Sequence, residues 1–288
     1  MSLLWLMGVV SVGCQPGAAP PAETAVSDVG VLETAVTLTD SGFVLPDPFP
    51  GGIVNVTITN DTDKAMDIGF GRVLEGANQD EILALVADPE GFIPLMQMVS
   101  FIMSFNPVPA GESRQAVIEF GTGQFIVDAA EHSDGPPLPD AQHVDAFFTA
   151  DTLEGTVEPD AAVQVELLDF AYTMSEAGVS AGKHLWQYHN GGEQWHMMLL
   201  VKVNEGTTVE DVLAFMGQEE PSGPPPFEFM ENAGIPPIGP GERTWVEFDL
   251  EPGTYMAICP LPDAAAIMSG GMPTSHAEHG MHWQFEVK

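Results

Sequence analysis

Basic residues are scarce in this chain. Seven Lys and Arg stand against 42 Asp and Glu, a formal charge of −35 over 288 residues. Binding a nucleic-acid backbone needs clustered cations, so nucleic acid is excluded as a partner. A polybasic membrane-surface mode is excluded with it. No long acidic block accompanies the deficit. Charged residues are 17% of the chain and hydrophobic ones 44%, a balance of packed domains with an acidic surface rather than of disorder. Such a surface suits a basic protein partner. Cysteine is equally scarce: there are two, Cys14 and Cys259, and they look unlike a pair. The apolar run at residues 3–12 is too short to span a bilayer. Ser/His/Asp hydrolysis, a phosphate-cradling loop, a dinucleotide fingerprint and His-x-His pairs find no support, so the sequence predicts no enzymatic activity.

That short N-terminal run suits the apolar region of an export signal. It ends in Ser11-Val12-Gly13-Cys14, which resembles the lipobox of bacterial lipoproteins. The resemblance implies a signal over residues 1–14, lipidation at Cys14, and a place on the extracytoplasmic or periplasmic side of the bacterial envelope. The membrane contact is then the lipid anchor alone, and lipidation of Cys14 would exclude a disulfide framework. An ordinary export signal is the alternative. Residues 15–30 are rich in Pro, Ala and Gly and read as a flexible linker.

Beyond the linker the chain repeats itself at an offset of 130. Asn60 maps to Asn190, Gly52 to Gly182, Arg72 to Lys202, Leu83 to Leu213, Gly111-Glu112 to Gly241-Glu242 and Gly123 to Gly253. A period this long means duplicated domains rather than a solenoid; the copies span 31–155 and 156–288. Each reads mainly as strands. Residues 53–59 are β-branched and stop at Asn60-Asp61, residues 183–189 stop at Asn190-Gly191, and residues 244–250 alternate before the turn at Glu251-Pro252-Gly253. Helices are predicted over 79–86 and 208–216, the second opened by Thr208 with acids in its first turn. Many short strands joined by Gly/Pro turns predict an all-β fold of two antiparallel β-sandwiches in tandem, with short helical insertions.

The second copy holds His189-Asn190 to His196, then Cys259 after residues 252–258, then Ser275-His276 and Gly280-Met281. A His, a Cys, a His-x4-Met and a closing strand in this order resemble the blue-copper cupredoxin family over residues 160–288. The resemblance implies Greek-key cupredoxin-like sandwiches and one copper ion held by His196, Cys259, His276 and Met281. A thiolate and two imidazoles in a trigonal set with a weak axial thioether suit copper and one-electron transfer. The segment 260–275 is longer than that family's usual loop, and His279 and His282 stand nearby as competing donors. At the 130-residue offset Met66, Ala129, Ala146 and Asp151 face these positions, so the first copy is expected to bind no metal and to act as scaffold or docking domain.

Each residue also has a structural reading: Cys259 as a small core residue, Met281 as packing, His196 as a satisfied buried histidine. Two further functional readings stay open. Met268, Met272, His276, His279, Met281 and His282 together suit copper capture and delivery to an exchange partner. Loss of every ligand from the first copy suits a metal-free envelope interaction module, with residues 221–227 as partner-binding loops.

Overall fold

The computed structural model describes residues 31–288 except 89–90, 134–142, 154–156, 176–178, 219–222 and 272–273. The signal, the linker and Cys14 lie outside the described residues, as does Met272. The chain is mostly β. The first half runs β1 (Leu32–Thr39), β2 (Gly42–Val44), β3 (Phe49–Asn60), β4 (Met66–Val73), α1 (Gln79–Val86), α2 (Phe92–Leu95), β5 (Val99–Val108), β6 (Ser113–Phe120), β7 (Gly123–Glu131) and β8 (His143–Leu153). The second runs β9 (Val163–Leu168), β10 (Ala171–Met174), β11 (Gly182–Asn190), β12 (His196–Val203), α3 (Val209–Met216), β13 (Phe227–Ile238), β14 (Arg243–Leu250), β15 (Gly253–Ile258), α4 (Ala264–Met268) and β16 (His282–Val287). Both ends of β4 and β12, of α1 and α3, and of β6 and β14 stand 130 residues apart.

The recurrence extends to hydrogen bonds. Asn60 Nδ2 donates to the carbonyls of Lys64 and Val108, and Asn190 Nδ2 to those of Gln194 and Ile238. The backbone N–H of Gly111 donates to Asn60 O, and that of Gly241 to Asn190 O. A buried asparagine is tolerated because its amide satisfies carbonyls that would otherwise be orphaned. Asn78 caps α1 by accepting from Glu81 N, while Thr208 caps α3 through a reciprocal box with Asp211.

Strand patterning sets the faces. In β9, Val163, Val165 and Leu167 are buried and their neighbours exposed, the period-2 signature of a half-buried strand. The halves build separate cores around Phe70, Phe120 and Phe125 in one and Trp186, Tyr188 and Met198 in the other.

The strands are not all antiparallel, as the sequence reading expected. β1 pairs parallel with β3, β9 with β11, and β3 with β8. In β1–β2–β3 and β9–β10–β11 an intervening strand reverses the chain twice, so the third strand runs with the first. Nor is the sheet interrupted between the halves. β14 pairs with β6 through Thr244↔Ile118 and Trp245↔Val117, which joins strands of both halves in one twelve-stranded sheet. β13, β12, β15 and β16 form a second sheet. Trp245 is fully buried at the seam against Ile53 and Val117.

Candidate metal centre

Three parts of the second half meet at one point. His196 opens β12, Cys259 follows the last residue of β15, and His276 lies in the turn-rich segment before β16. β12 and β15 are paired neighbours, with Leu199 opposite Ile258, so pairing alone brings His196 and Cys259 to the same sheet end. His276 returns because the long segment after Cys259 is pinched at its neck. Pro262 and Ser275 form an antiparallel bridge, Asp263 N donates to Thr274 O, and His276 N donates to Leu261 O. Asp263 and Thr274 are therefore held together at a neck, and the number of residues between them does not separate the two side chains.

One donor atom from each of His196, Cys259 and His276 lies within 4.8 Å of the other two. His196 Nδ1 stands 3.1 Å from His276 Nδ1, and Cys259 Sγ 3.5 Å from that same nitrogen. The imidazole planes cross at 60°. All three side chains are buried, and His276 Nε2 has no hydrogen-bond partner. Met281 is fully buried in the same core cluster as Cys259. Its backbone is tied to the site, since Cys259 N donates to Met281 O and Met281 N donates to His276 O.

Burial governs protonation. It pushes the Cys259 thiol up to about 12, against backbone groups of Met197 and Leu261 and the Tyr172 hydroxyl, which act the other way. Burial, together with the facing His196, brings His276 down to about 4. Burial also lowers His196, opposed by its bond to Asp169. Near neutral pH the pocket therefore holds two neutral imidazoles and a thiol. A cation entering must displace the thiol proton, and the thiolate then neutralises part of its charge.

The spacing of motifs gave no sign of the β9–β10 turn, which reaches both histidines. Asp169 Oδ1 accepts from His196 Nε2 at 2.9 Å. Phe170 sets its ring edge-on to His276 at 5.2 Å and also faces His279. Phe170 holds φ at +63°, which costs an L-residue about 1–2 kcal/mol, a strain tolerated where a side chain must be aimed. For Asp169, burial acts upward, but the bonds from His196 and the Glu193 and Gln194 amides outweigh it and hold the carboxyl below its usual range.

The first half packs against residues beside the cluster. Phe92 and Phe101 meet Trp195, next to His196, edge-to-face at 5.8 and 5.0 Å. Gln97 Nε2 donates to Met268 Sδ. The other sequence candidates stand outside the cluster. His279 bonds Thr274 and is 40% exposed, Met268 is 61% exposed, and His282 begins β16. His189 bonds Glu166 and His184 bonds Ser180, structural roles in both cases. At the matching positions of the first half, Met66 and Ala129 are buried in an apolar core.

No protein-family model matches the chain, and no curated protein does. Among solved structures it is similar to a reduced auracyanin from the photosynthetic bacterium Roseiflexus castenholzii, at 23% identity and a TM-score of 0.29, covering 45% of this chain and 99% of that one. It is similar to a multicopper oxidase at 12% identity and a TM-score of 0.24, covering 89% and 88% of the two chains. A copper-containing nitrite reductase from Thermus scotoductus follows at 13% identity and a TM-score of 0.26, covering 90% of this chain and 61% of that one. The expectation that the chain has no enzymatic activity is overturned here, because an oxidase and a reductase stand among its structural neighbours. Three of the signatures whose absence suggested it belong to hydrolysis and nucleotide chemistry and are silent about redox enzymes, and the missing His-x-His pairs speak to multicopper chemistry alone.

Proposed function

We propose that this chain is an exported, lipid-anchored copper protein that passes single electrons through one copper in its second half. His196, Cys259 and His276 would hold the ion and Met281 would supply the weak axial thioether. In this reading residues 31–155 and 156–288 are tandem cupredoxin-like sandwiches, the first without ligands. The signal at residues 1–14 and lipidation at Cys14 place the protein on the extracytoplasmic face of the envelope, and its charge of −35 suits a basic redox partner.

The observation that carries the proposal is the convergence of two imidazole Nδ1 atoms and one thiol sulfur in a buried pocket. Two His and one Cys with a nearby Met is the donor set of a trigonal copper site, whereas closed structural zinc sites take four strong ligands. Asp169 is turned to the far nitrogen of His196 and does not complete a zinc set. Copper bound there would supply a one-electron couple. The protein's part is to exclude water, hold both imidazoles neutral and fix their angle by packing. Burial of all three donors favours electron transfer over capture and delivery, which needs a ligand open to an exchange partner.

Cupric ion added to the purified protein should produce an intense absorption at about 600 nm from Cu–thiolate chemistry. Cys259→Ala should abolish the band, and the small change in buried volume should leave the fold intact. A colourless wild-type protein that takes up no copper would sink the proposal.

A further inference from the structure

Only one of the two facing histidines has its outer nitrogen held. His196 Nε2 meets Asp169 Oδ1 at 2.9 Å, while His276 Nε2 is buried without a partner. An ionised carboxylate only accepts. The contact therefore puts the imidazole proton on Nε2 and leaves the Nδ1 lone pair facing His276 and Cys259. Asp169 is itself aimed, since Glu193 N and Gln194 N donate to its Oδ1 at 3.0 and 3.2 Å.

Space for the contact comes from Gly192. A Cβ there would stand 2.5 Å from Asp169 Oδ1 and 2.7 Å from His196 Nε2. The first half supplies a contrast built on the same backbone. Leu38 pairs with Asn60 and Leu167 with Asn190, so Asp40 corresponds to Asp169. Asp40 is exposed, Thr62 carries the Cβ that Gly192 lacks, and the Met66 side chain has no N–H to donate. An acid in this turn is thus common to both halves, and it turns onto a histidine only where the glycine and the histidine are both present.

We propose that Asp169 is a positioning residue for the metal centre, with Gly192 as the gap through which it reaches. It fixes His196 as the Nε2–H tautomer, so that Nδ1 is set as a donor before any ion arrives. Its negative charge favours the cupric over the cuprous state. The charge role rests on the copper reading, and the tautomer role does not.

Long-range 1H–15N correlation on the metal-free protein should show His196 protonated at Nε2; protonation at Nδ1 would overturn the positioning role. Asp169→Asn keeps an accepting oxygen and removes the charge. The tautomer should persist, and cupric affinity should fall about 10- to 100-fold with a smaller change for cuprous ion. Each tenfold change in that ratio raises the one-electron potential by about 59 mV. An unchanged potential would remove the charge role. Gly192→Ala keeps every charge but wedges the pair apart, and should give mixed His196 tautomers with a comparable loss of cupric affinity. Wild-type tautomer and affinity in that variant would overturn the role of the gap. A wild-type chain that binds no copper would end both the copper reading and the charge role, and the metal-free spectrum would still decide the tautomer.

Discussion

The two halves share a backbone plan and differ in what they do with it. Both close a turn with a buried asparagine and both carry a capped helix after the same strand. In the first half the sheet end that matches the candidate metal centre is filled by Met66 and Ala129, while the other face of β7 carries Asp128 opposite Asp145. In the second half the same sheet end gathers His196 and Cys259, and the position matching Asp128 is the buried Ile258. Fold and site are separable: the shared plan stands in the first half without the His and Cys, and those side chains occupy places where the fold requires only something buried.

The sharpest break in the comparison is at the seam. Arg72 reaches Glu242 through two bonds of 2.8 and 2.9 Å, with Glu242 almost wholly buried. Their counterparts at the repeat offset do nothing similar, since Lys202 bonds Glu251 and Glu112 bonds Arg114. Arg72→Met strands a buried carboxylate and should cost about 3–5 kcal/mol. Calorimetry should show one transition in the wild type, raised as a whole by copper. The variant should show two, of which copper raises one. A single unshifted transition in Arg72→Met would mean that the seam does not couple the halves.

The acidic row gives the next effect, and it has a pH sign. Burial, with the facing Asp145 adding to it, pushes Asp128 from 3.8 up to about 7. Between those values the folded chain keeps a proton that the unfolded chain has released. Stability from this group therefore falls as pH rises through the window and levels off above it. Asp128→Asn should be more stable than wild type at pH 8 by roughly 2–4 kcal/mol, and the gap should close below about pH 4. Denaturant unfolding at three pH values checks this. A gap that stays constant with pH would count against it.

Much of this was legible in the sequence. The 130-residue offset gave the paired strands, and helices stand at both places expected of them, the second behind its Thr208 cap. The order of His196, Cys259, His276 and Met281 pointed to one pocket, and the first three side chains do converge. Asp169 was not legible, because a carboxylate from a distant turn follows no spacing rule and because Asp40 occupies the same place without a histidine. The seam was hidden for a similar reason. Arg72 with Glu242 and Trp195 with Phe92 and Phe101 pair across the halves, and hydrophobic periodicity describes one strand or helix at a time. The long segment 260–275 looked like an obstacle because a residue count says nothing of the bridge between Pro262 and Ser275 that closes it.

A third prediction tests the shared plan directly. Asn60→Ala orphans the carbonyls of Lys64 and Val108, and Asn190→Ala orphans those of Gln194 and Ile238. Each should cost about 1–3 kcal/mol. Asn60 also accepts from Thr62 N and Asn190 from Gly192 N. Because Gly192 adjoins Asp169 and His196, only the Asn190 variant should disturb the copper band. If both variants left the band alone, the turn at Asn190 would not be part of the site's support.

The smallest effect lies at the helix caps. Thr208 Oγ1 accepts from Asp211 N, and Asp211 Oδ2 accepts in return from Thr208 N at 2.9 Å. At Asn78 the side chain accepts from Glu81 N. Thr208→Ala and Asn78→Ala should each lower stability by about 1 kcal/mol, with the copper band untouched in both, because neither helix supplies a residue to the pocket. The caps differ in acid. The Thr208 backbone N–H, with its hydroxyl adding, holds the Asp211 carboxyl below its ordinary 3.8. Stability from a carboxyl so depressed is present above the ordinary value and is lost as pH falls through the lowered one. The deficit of Thr208→Ala relative to wild type should therefore shrink below about pH 4, as unfolding curves at pH 3 and pH 6 will show. The variant keeps the backbone N–H and loses the hydroxyl's donation to Asp211 Oδ2, so a deficit equal at both would mean that the hydroxyl contributes only by accepting from Asp211 N.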